Sequence, residues 1–395
     1  MDFEFNEEQK LLADSVQKYL ASSYDFEARK RFIHSPDGAS QAVWSMLSEM
    51  GLPAIAFSTE VGGFGGGAVD MMAAMEAFGE ALVVEPLLDH IALASRLIAR
   101  TGSAAQRASA LPALLDGSQK ASFAYLERGR RYELSAATTT ATPCATGWVL
   151  NGEKIVVIGA SLADVLVVTA KTAAGTSLFT VNRTAPGVTI KSYRTVDGLR
   201  AGDVSFDKVS LTADALLGAQ GQSLGAIEEA IDFATALLCS EAVGAMKYAC
   251  DATLEYLKTR KQFGAPIGAF QALQHRMVDM FMAAEQSRSM AMMVACKVDA
   301  AASASDAASI AARKKAVSSA KVFIADAARL VSQESVQLHG GMGMSEEMKI
   351  SHTFRRLTVL AQRFGDADYH LARYSGTASA NNSATTSAAN SATTE

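Results

Sequence analysis

Two short runs carry the side chains best suited to chemistry. Tyr256–Gly264 reads YLKTRKQFG, and Gln337–Gly343 reads QLHGGMG, with Gln271 between them. Arg260, Lys261, Gln262 and Phe263 place two cations, an amide and an aromatic ring at an expected helix end. Gly340 and Gly341 form a glycine-rich turn after a helical segment, where backbone can approach a phosphate closely. Together they suit a charged, ring-bearing ligand such as a dinucleotide. The plainer alternative is a helix C-terminus with favourably placed cations and an ordinary helix-ending turn.

Other candidates are quieter. The loop Ser58–Gly67 has five glycines, but no Lys-Ser/Thr follows as a phosphate loop requires, so it reads as an inter-helix connection. Arg128, Arg130 and Arg131 suit phosphate or carboxylate groups, or equally a salt-bridged surface loop. Arg355 and Arg356 divide the same way between an anion and a helix face. His275 reads as interface or core.

The elements that must position these residues fall into three blocks. With 395 residues, 49% of them apolar and 19% charged, the chain has enough material for a sizeable core. Residues 1–117 read as a helical domain. Asn6 caps its first helix with Gln9 reaching back, and Leu12, Val16 and Leu20 form one stripe. Residues 118–215 shift to short β-rich runs, a small barrel or sandwich, with Asn151–Gly152 as a hairpin signal. Residues 216–374 return to helix. Ser223–Arg260 would be roughly 57 Å long if continuous. Ile267–Ala300, Ser305–Gln333 and Glu346–Arg373 then complete an antiparallel four-helix bundle, its core filled by the methionines of Met277–Met293. The tail 375–395 lacks large apolar residues and is expected to be disordered. The fold class is α+β, mostly α.

The net charge of −5 argues against nucleic acid as main partner. The four cysteines have no metal-ligand spacing and read as thiols of a reducing compartment. No run is long enough to span a membrane, and the acidic N-terminus has no signal-peptide core. A cytoplasmic protein without metal is expected.

This block order, together with Gly51–Pro53 before the glycine loop, the Asn-Gly-x-Lys run, RKQFG with IGAFQ to Gln271, and QLHGGMG, resembles the acyl-CoA dehydrogenase family over about residues 3–374. The small (beta) subunit of heteromeric members is most similar, nearest the pimeloyl-CoA dehydrogenase type. The resemblance implies FAD as cofactor, an acyl-CoA thioester as substrate, and an electron-transfer flavoprotein as acceptor. A carboxylate takes the α-proton, hydrogen bonds stabilise the enolate, and the flavin accepts the β-hydride. It further implies that Arg260 meets the pyrophosphate of a neighbour's FAD and Phe263 its adenosine. Gln262 and Gln271 lie nearby, and Gln337, Gly340 and Gly341 line the adenosine–pyrophosphate turn. Asp232 would sit near the CoA adenine.

The departures are systematic. The family's own-side flavin strand, Trp-Ile-Thr/Ser, corresponds to Val156-Val157-Ile158. Its small-residue loop corresponds to Leu126–Glu133, bulky and cationic. Its catalytic glutamate corresponds to Phe364, which cannot accept a proton, and its alternative base to Ala234. Elements serving the chain's own flavin are altered, while those serving a neighbour's remain. The expectation is therefore a non-catalytic or half-site subunit, completing the FAD site of a catalytic partner in an α2β2 assembly. Two readings stand beside it. One is a self-sufficient homotetramer with Glu241 as relocated base, or more weakly Asp366. The other is a non-enzymatic acyl-CoA-binding scaffold.

Overall fold

The computed structural model describes residues 6–135, 137–304 and 306–376. The chain clusters into two compact units, Met1–Leu238 and Cys239–Glu395.

The first unit begins with helices α1 (Glu7–Ser23), α2 (Phe26–His34), α3 (Gln41–Glu49), α4 (Ala68–Ala81), α5 (Arg96–Thr101) and α6 (Ala104–Leu115). The expected capping box is present: Gln9 N donates to Asn6 Oδ1 and Asn6 N to Gln9 Oε1, both at 2.8 Å, so two orphan donors are satisfied at once. Val16 and Leu20 of the expected stripe are buried. A π-helical turn, Asp89–Ser95, leads into α5 with every residue buried. Within it His90 joins α6 to the sheet. Its Nε2 donates to Leu114 O at 2.8 Å, and its Nδ1 accepts from Ala121 N at 3.0 Å. Those partners fix a neutral tautomer, and burial pulls the pKa down to about 4.

Eight strands follow: β1 (Ala121–Ala124), β2 (Thr140–Cys144), β3 (Gly147–Ile158), β4 (Val165–Thr172), β5 (Gly175–Asn182), β6 (Val188–Arg194), β7 (Arg200–Thr212) and β8 (Leu216–Leu217). They form one sheet in the order β6-β7-β3-β2-β4-β5-β8, with β1 beside β4. Leu150, Val157, Leu166, Val168, Phe179 and Val204 pack its buried face. Asn151–Gly152 is not a hairpin turn. Strand β3 runs through it, and the turn lies between paired Cys144 and Gly147. The dipeptide instead sits at a bulge, where β3 shifts register on β7 between Leu150 and Gly152. A Cβ on Gly152 would fall 2.6 Å from Thr139 Cα, so close strand approach demands the glycine.

A second bulge occurs between Lys154 and Val157. Lys154 pairs with Val204 and Val157 with Gly202, so Ile155 and Val156 both face Asp203. Val156 takes φ +52, which a β-branched residue adopts only under strain.

Helix α7 (Leu224–Thr259, 36 residues) carries the chain past the boundary between the units. The second unit continues with strands β9 (Lys261–Gln262) and β10 (Ala265–Pro266), then α8 (Gln271–Ala304), α9 (Ala307–His339), a 3-10 turn Gly340–Met344, α10 (Lys349–Gln362) and α11 (Ala367–Ser375). The expected single segment Glu346–Arg373 is broken. Gly365 at φ +125 ends α10, and the Asp366 carboxylate caps α11 by accepting from Tyr369 N at 2.9 Å. Helix α11 takes in Ser375, and the remainder of the expected disordered tail, from 377 on, lies outside the described residues. The methionines do not fill the core: Met280 is buried, whereas Met282 is 47% exposed. Met282 and Met290 instead line a surface cavity of ≈ 780 Å³ with Phe323, Leu330, Leu371 and Tyr374.

Candidate functional site

The YLKTRKQFG run spans the end of α7 and a tight hairpin. The cations therefore stand on β9 and its approach, not in the last helical turn. Phe263 at φ +54 and Gly264 at φ +84 form the two-residue connection, and Gln262 pairs with Ala265. Two successive left-handed residues match the twist of a hairpin. At the first of them a phenylalanine costs roughly 1–2 kcal/mol more than glycine. Its ring is 92% exposed and stands edge-on to Phe270 at 6.1 Å between ring centres. Among the described residues, the exposed side chains of Arg260 and Lys261 have no partner within the chain, and Gln271 stands exposed at the start of α8.

The glycine turn lies at the same end of this unit. Tyr256, four residues before Arg260, stacks on His339 at 4.4 Å and 25°. His339 is the last residue of α9, and its Nδ1 donates to Ser335 O at 2.8 Å. Gly340 then takes φ 61, ψ −146, a conformation open only to glycine. A Cβ on Gly340 or Gly341 would meet nothing within 4 Å, so their backbone faces open space. Gln337 is exposed beside them. An unspent guanidinium, exposed amides, bare backbone and an exposed ring match an anionic ligand with an aromatic head. These residues fit the pyrophosphate–adenosine part of a dinucleotide.

Among the described residues, the candidate base positions have no comparable provision. The Phe364 ring is buried, and its backbone at φ +62 is held from two sides. His370 Nε2 donates to Phe364 O at 3.1 Å. Lys321 Nζ donates to Leu360 O, Ala361 O and Gly365 O at 2.9, 2.9 and 3.0 Å, satisfying the end of α10. Burial lowers the Lys321 pKa to about 8 against the pull of Cys239 and Asp366. Glu241 is buried with Arg356: Oε1 lies 2.6 Å from Nη2 and 2.7 Å from Nε. Asp366 serves as a helix cap. Arg355 pairs with Glu346 at 2.8 Å, and His275 is exposed on α8. Among the described residues no cluster could hold a metal ion, and no helix is long and apolar enough to cross a membrane.

In the first unit, Asp232 is 1% exposed, so contact with CoA would require its surroundings to open. The Ser58–Gly67 loop folds on itself: a Cβ at Gly63 would meet Phe57 O at 2.2 Å. The Leu126–Glu133 loop is anchored by Glu127, which accepts from Lys154 Nζ at 2.6 Å, Thr138 N at 2.6 Å and Thr139 N at 3.0 Å. Burial alone would raise the Glu127 pKa, but these donors, Lys154 foremost, hold it at about 2. The next residue, Arg128, reaches Asp203 with Nη2 to Oδ2 at 3.0 Å. Asp203 Oδ1 also accepts from Tyr193 OH at 2.8 Å and Val156 N at 3.2 Å. Asp203, Tyr193 and Lys321 were not found in the sequence. Only a cation in an apolar stretch of α9 hinted at Lys321.

Three family models cover nearly all of the described chain: "Acyl-CoA dehydrogenase, N-terminal domain" over residues 6–118, "middle domain" over 122–209, and "C-terminal domain" over 221–374. The probable acyl-CoA dehydrogenase YngJ of Bacillus subtilis is 27% identical over 90% of this chain and 93% of its own length. Among solved structures, the ChsE4-ChsE5 complex from Mycobacterium tuberculosis has a chain 23% identical, TM-score 0.84, covering 94% of this chain and 97% of that one. PigA with FAD and proline is 24% identical, TM-score 0.86, covering 96% and 99%.

Proposed function

The chain belongs to the acyl-CoA dehydrogenase family, and from that premise we propose that it is a half-site subunit. It completes the FAD site of a catalytic partner in an α2β2 assembly with one working site per heterodimer. FAD is the cofactor. When bound, it accepts the hydride removed from the β-carbon of the acyl-CoA.

This chain's part is to bind and orient. Arg260 holds the pyrophosphate, with Gln262 beside it and Phe263 against the adenosine. Gln271 reads the adenine edge. Gln337 and the backbone of Gly340–Gly341 close the other side. Fixed positioning of this kind lowers the entropic cost of reaction at the flavin. The α-proton is taken by a carboxylate of the partner, and electrons leave to an electron-transfer flavoprotein.

The observation that carries the proposal is the state of the carboxylates. The resemblance puts Phe364 where the family has its base, while Glu241 is bound to Arg356 and Asp366 caps a helix. At the hairpin, by contrast, the cations remain unspent. The Glu241–Arg356 pair also weighs against the self-sufficient homotetramer, because this carboxylate is already committed to a buried guanidinium within the chain.

The test is the FAD-to-protein ratio of the chain purified alone and with its co-expressed catalytic subunit. Little flavin alone and about one FAD per heterodimer together is the expected result. A full complement of FAD with turnover in the isolated chain would sink the proposal.

A further inference from the structure

The strand that ought to cradle this chain's own flavin ring is closed from within. We propose that Asp203 is the residue that excludes the isoalloxazine ring from β3, by occupying with its own carboxylate the donors such a ring would use. This rests on the half-site reading and gives it a physical cause.

The bulge is the starting point. In a regular ladder the N–H of Val156 would belong to β7 or project along the strand edge. Here Ile155 and Val156 together oppose Asp203, so the Val156 N–H leaves the ladder. It is donated to Asp203 Oδ1 at 3.2 Å. Tyr193 OH, from β6, joins the same oxygen at 2.8 Å. Arg128, held in place by the anchored Glu127 before it, closes on Oδ2 at 3.0 Å and approaches Glu153 Oε1 at 3.7 Å. Burial and the Asp203 carboxylate raise the Tyr193 pKa to about 12, so the phenol stays a donor.

The pyrimidine edge of a flavin is rich in carbonyl oxygens and needs N–H and O–H donors. Three donors converge at this point, and one carboxylate takes all of them. Asp203 thus takes up the donors that a ring's carbonyl oxygens would need. A ring entering the strand would have to displace charge-assisted hydrogen bonds and leave Asp203 unpaired, which is costly.

The test uses riboflavin, which has the ring but lacks the diphosphate and adenosine recognised by the hairpin. Flavin fluorescence is titrated with the isolated full chain, with Asp203→Ala, and with Arg128→Ala. The last removes an exposed guanidinium without touching the bulge. Circular dichroism confirms that each variant is folded. The wild type is expected to show no saturable quenching. Asp203→Ala should bind at least roughly tenfold more tightly, and Arg128→Ala should show a smaller gain. Folded variants that gain nothing while the wild type is also empty overturn the role of Asp203 and leave the half-site reading intact. A wild-type chain that binds riboflavin and purifies with stoichiometric FAD overturns both.

Discussion

Arg356 Nη2 lies 2.6 Å from Glu241 Oε1, and the two side chains are only 5% and 4% exposed. They are 115 residues apart in sequence, yet each is the other's compensation for leaving water. Removing the carboxylate strands a buried cation, which costs roughly 3–5 kcal/mol. Glu241→Leu should therefore lower the denaturation midpoint sharply, and Glu241→Leu with Arg356→Met should recover most of the loss. Glu241→Gln, if folded in the complex, should leave proton abstraction intact. Loss of turnover in that variant, with normal flavin content, would return the role of base to Glu241.

Arg260→Ala separates binding from stability. The guanidinium has no partner to lose among the described residues, so thermal unfolding of the isolated protein should be unchanged within about 0.5 kcal/mol. In the assembled complex the loss of a charge-assisted contact to phosphate, about 1.5–3 kcal/mol, should weaken FAD retention tenfold or more. Dialysis of the complex followed by flavin absorbance measures it.

Phe263→Gly should move the two quantities in opposite directions. Glycine relieves the left-handed strain at the hairpin tip and should stabilise it by about 1 kcal/mol. The complex, deprived of the exposed ring, should hold FAD less well. A hairpin whose ring served only its own stability would show no loss of flavin.

His90 makes the first unit sensitive to acid. Its folded-state pKa of about 4 lies below the ordinary value of 6.5. At neutral pH the ring is unprotonated in both states, and its contribution to stability is fully present. Between about 6.5 and 4 the unfolded chain takes up a proton that the folded chain refuses. Stability should fall by about 1.4 kcal/mol per pH unit over that window, roughly 3 kcal/mol in all. Denaturant titrations at several pH values should show this slope, and His90→Gln should flatten it.

What could be read in the sequence depended on range. Asn6 and Gln9 announce a capping box because both partners lie within one helical turn. The length of α7 follows from the absence of proline across it. The Asn151–Gly152 expectation failed because glycine after asparagine marks backbone with positive φ, and bulges use such backbone as readily as turns do. The break before α11 was signalled by Gly365–Asp366, a stop followed by a cap. The hairpin at Lys261–Pro266 was hidden because its turn starts with phenylalanine, a residue rarely found at φ > 0. The motifs of the hairpin and the glycine turn were legible as strings, but not the Tyr256–His339 stack that brings them together. Nor were Asp203, Lys321 or the pairing of Arg356, each defined by a neighbour distant in sequence. The exposed methionines of α8 carry no periodic signature distinguishing a core face from a surface hollow.

The extra residue in β3 also bears on how such a chain could change. Side chains on a strand alternate between two sides, and the bulge absorbs the added residue: Lys154 and Val157 face Val204 and Gly202 and both are buried. Deleting one residue at Ile155 or Val156 would leave those pairings, and the sides of Val157 and Ile158, as they are, with a single residue opposite Asp203. No point substitution along the strand removes the extra residue, so the irregularity is lost by a reading-frame-preserving deletion and not by replacement.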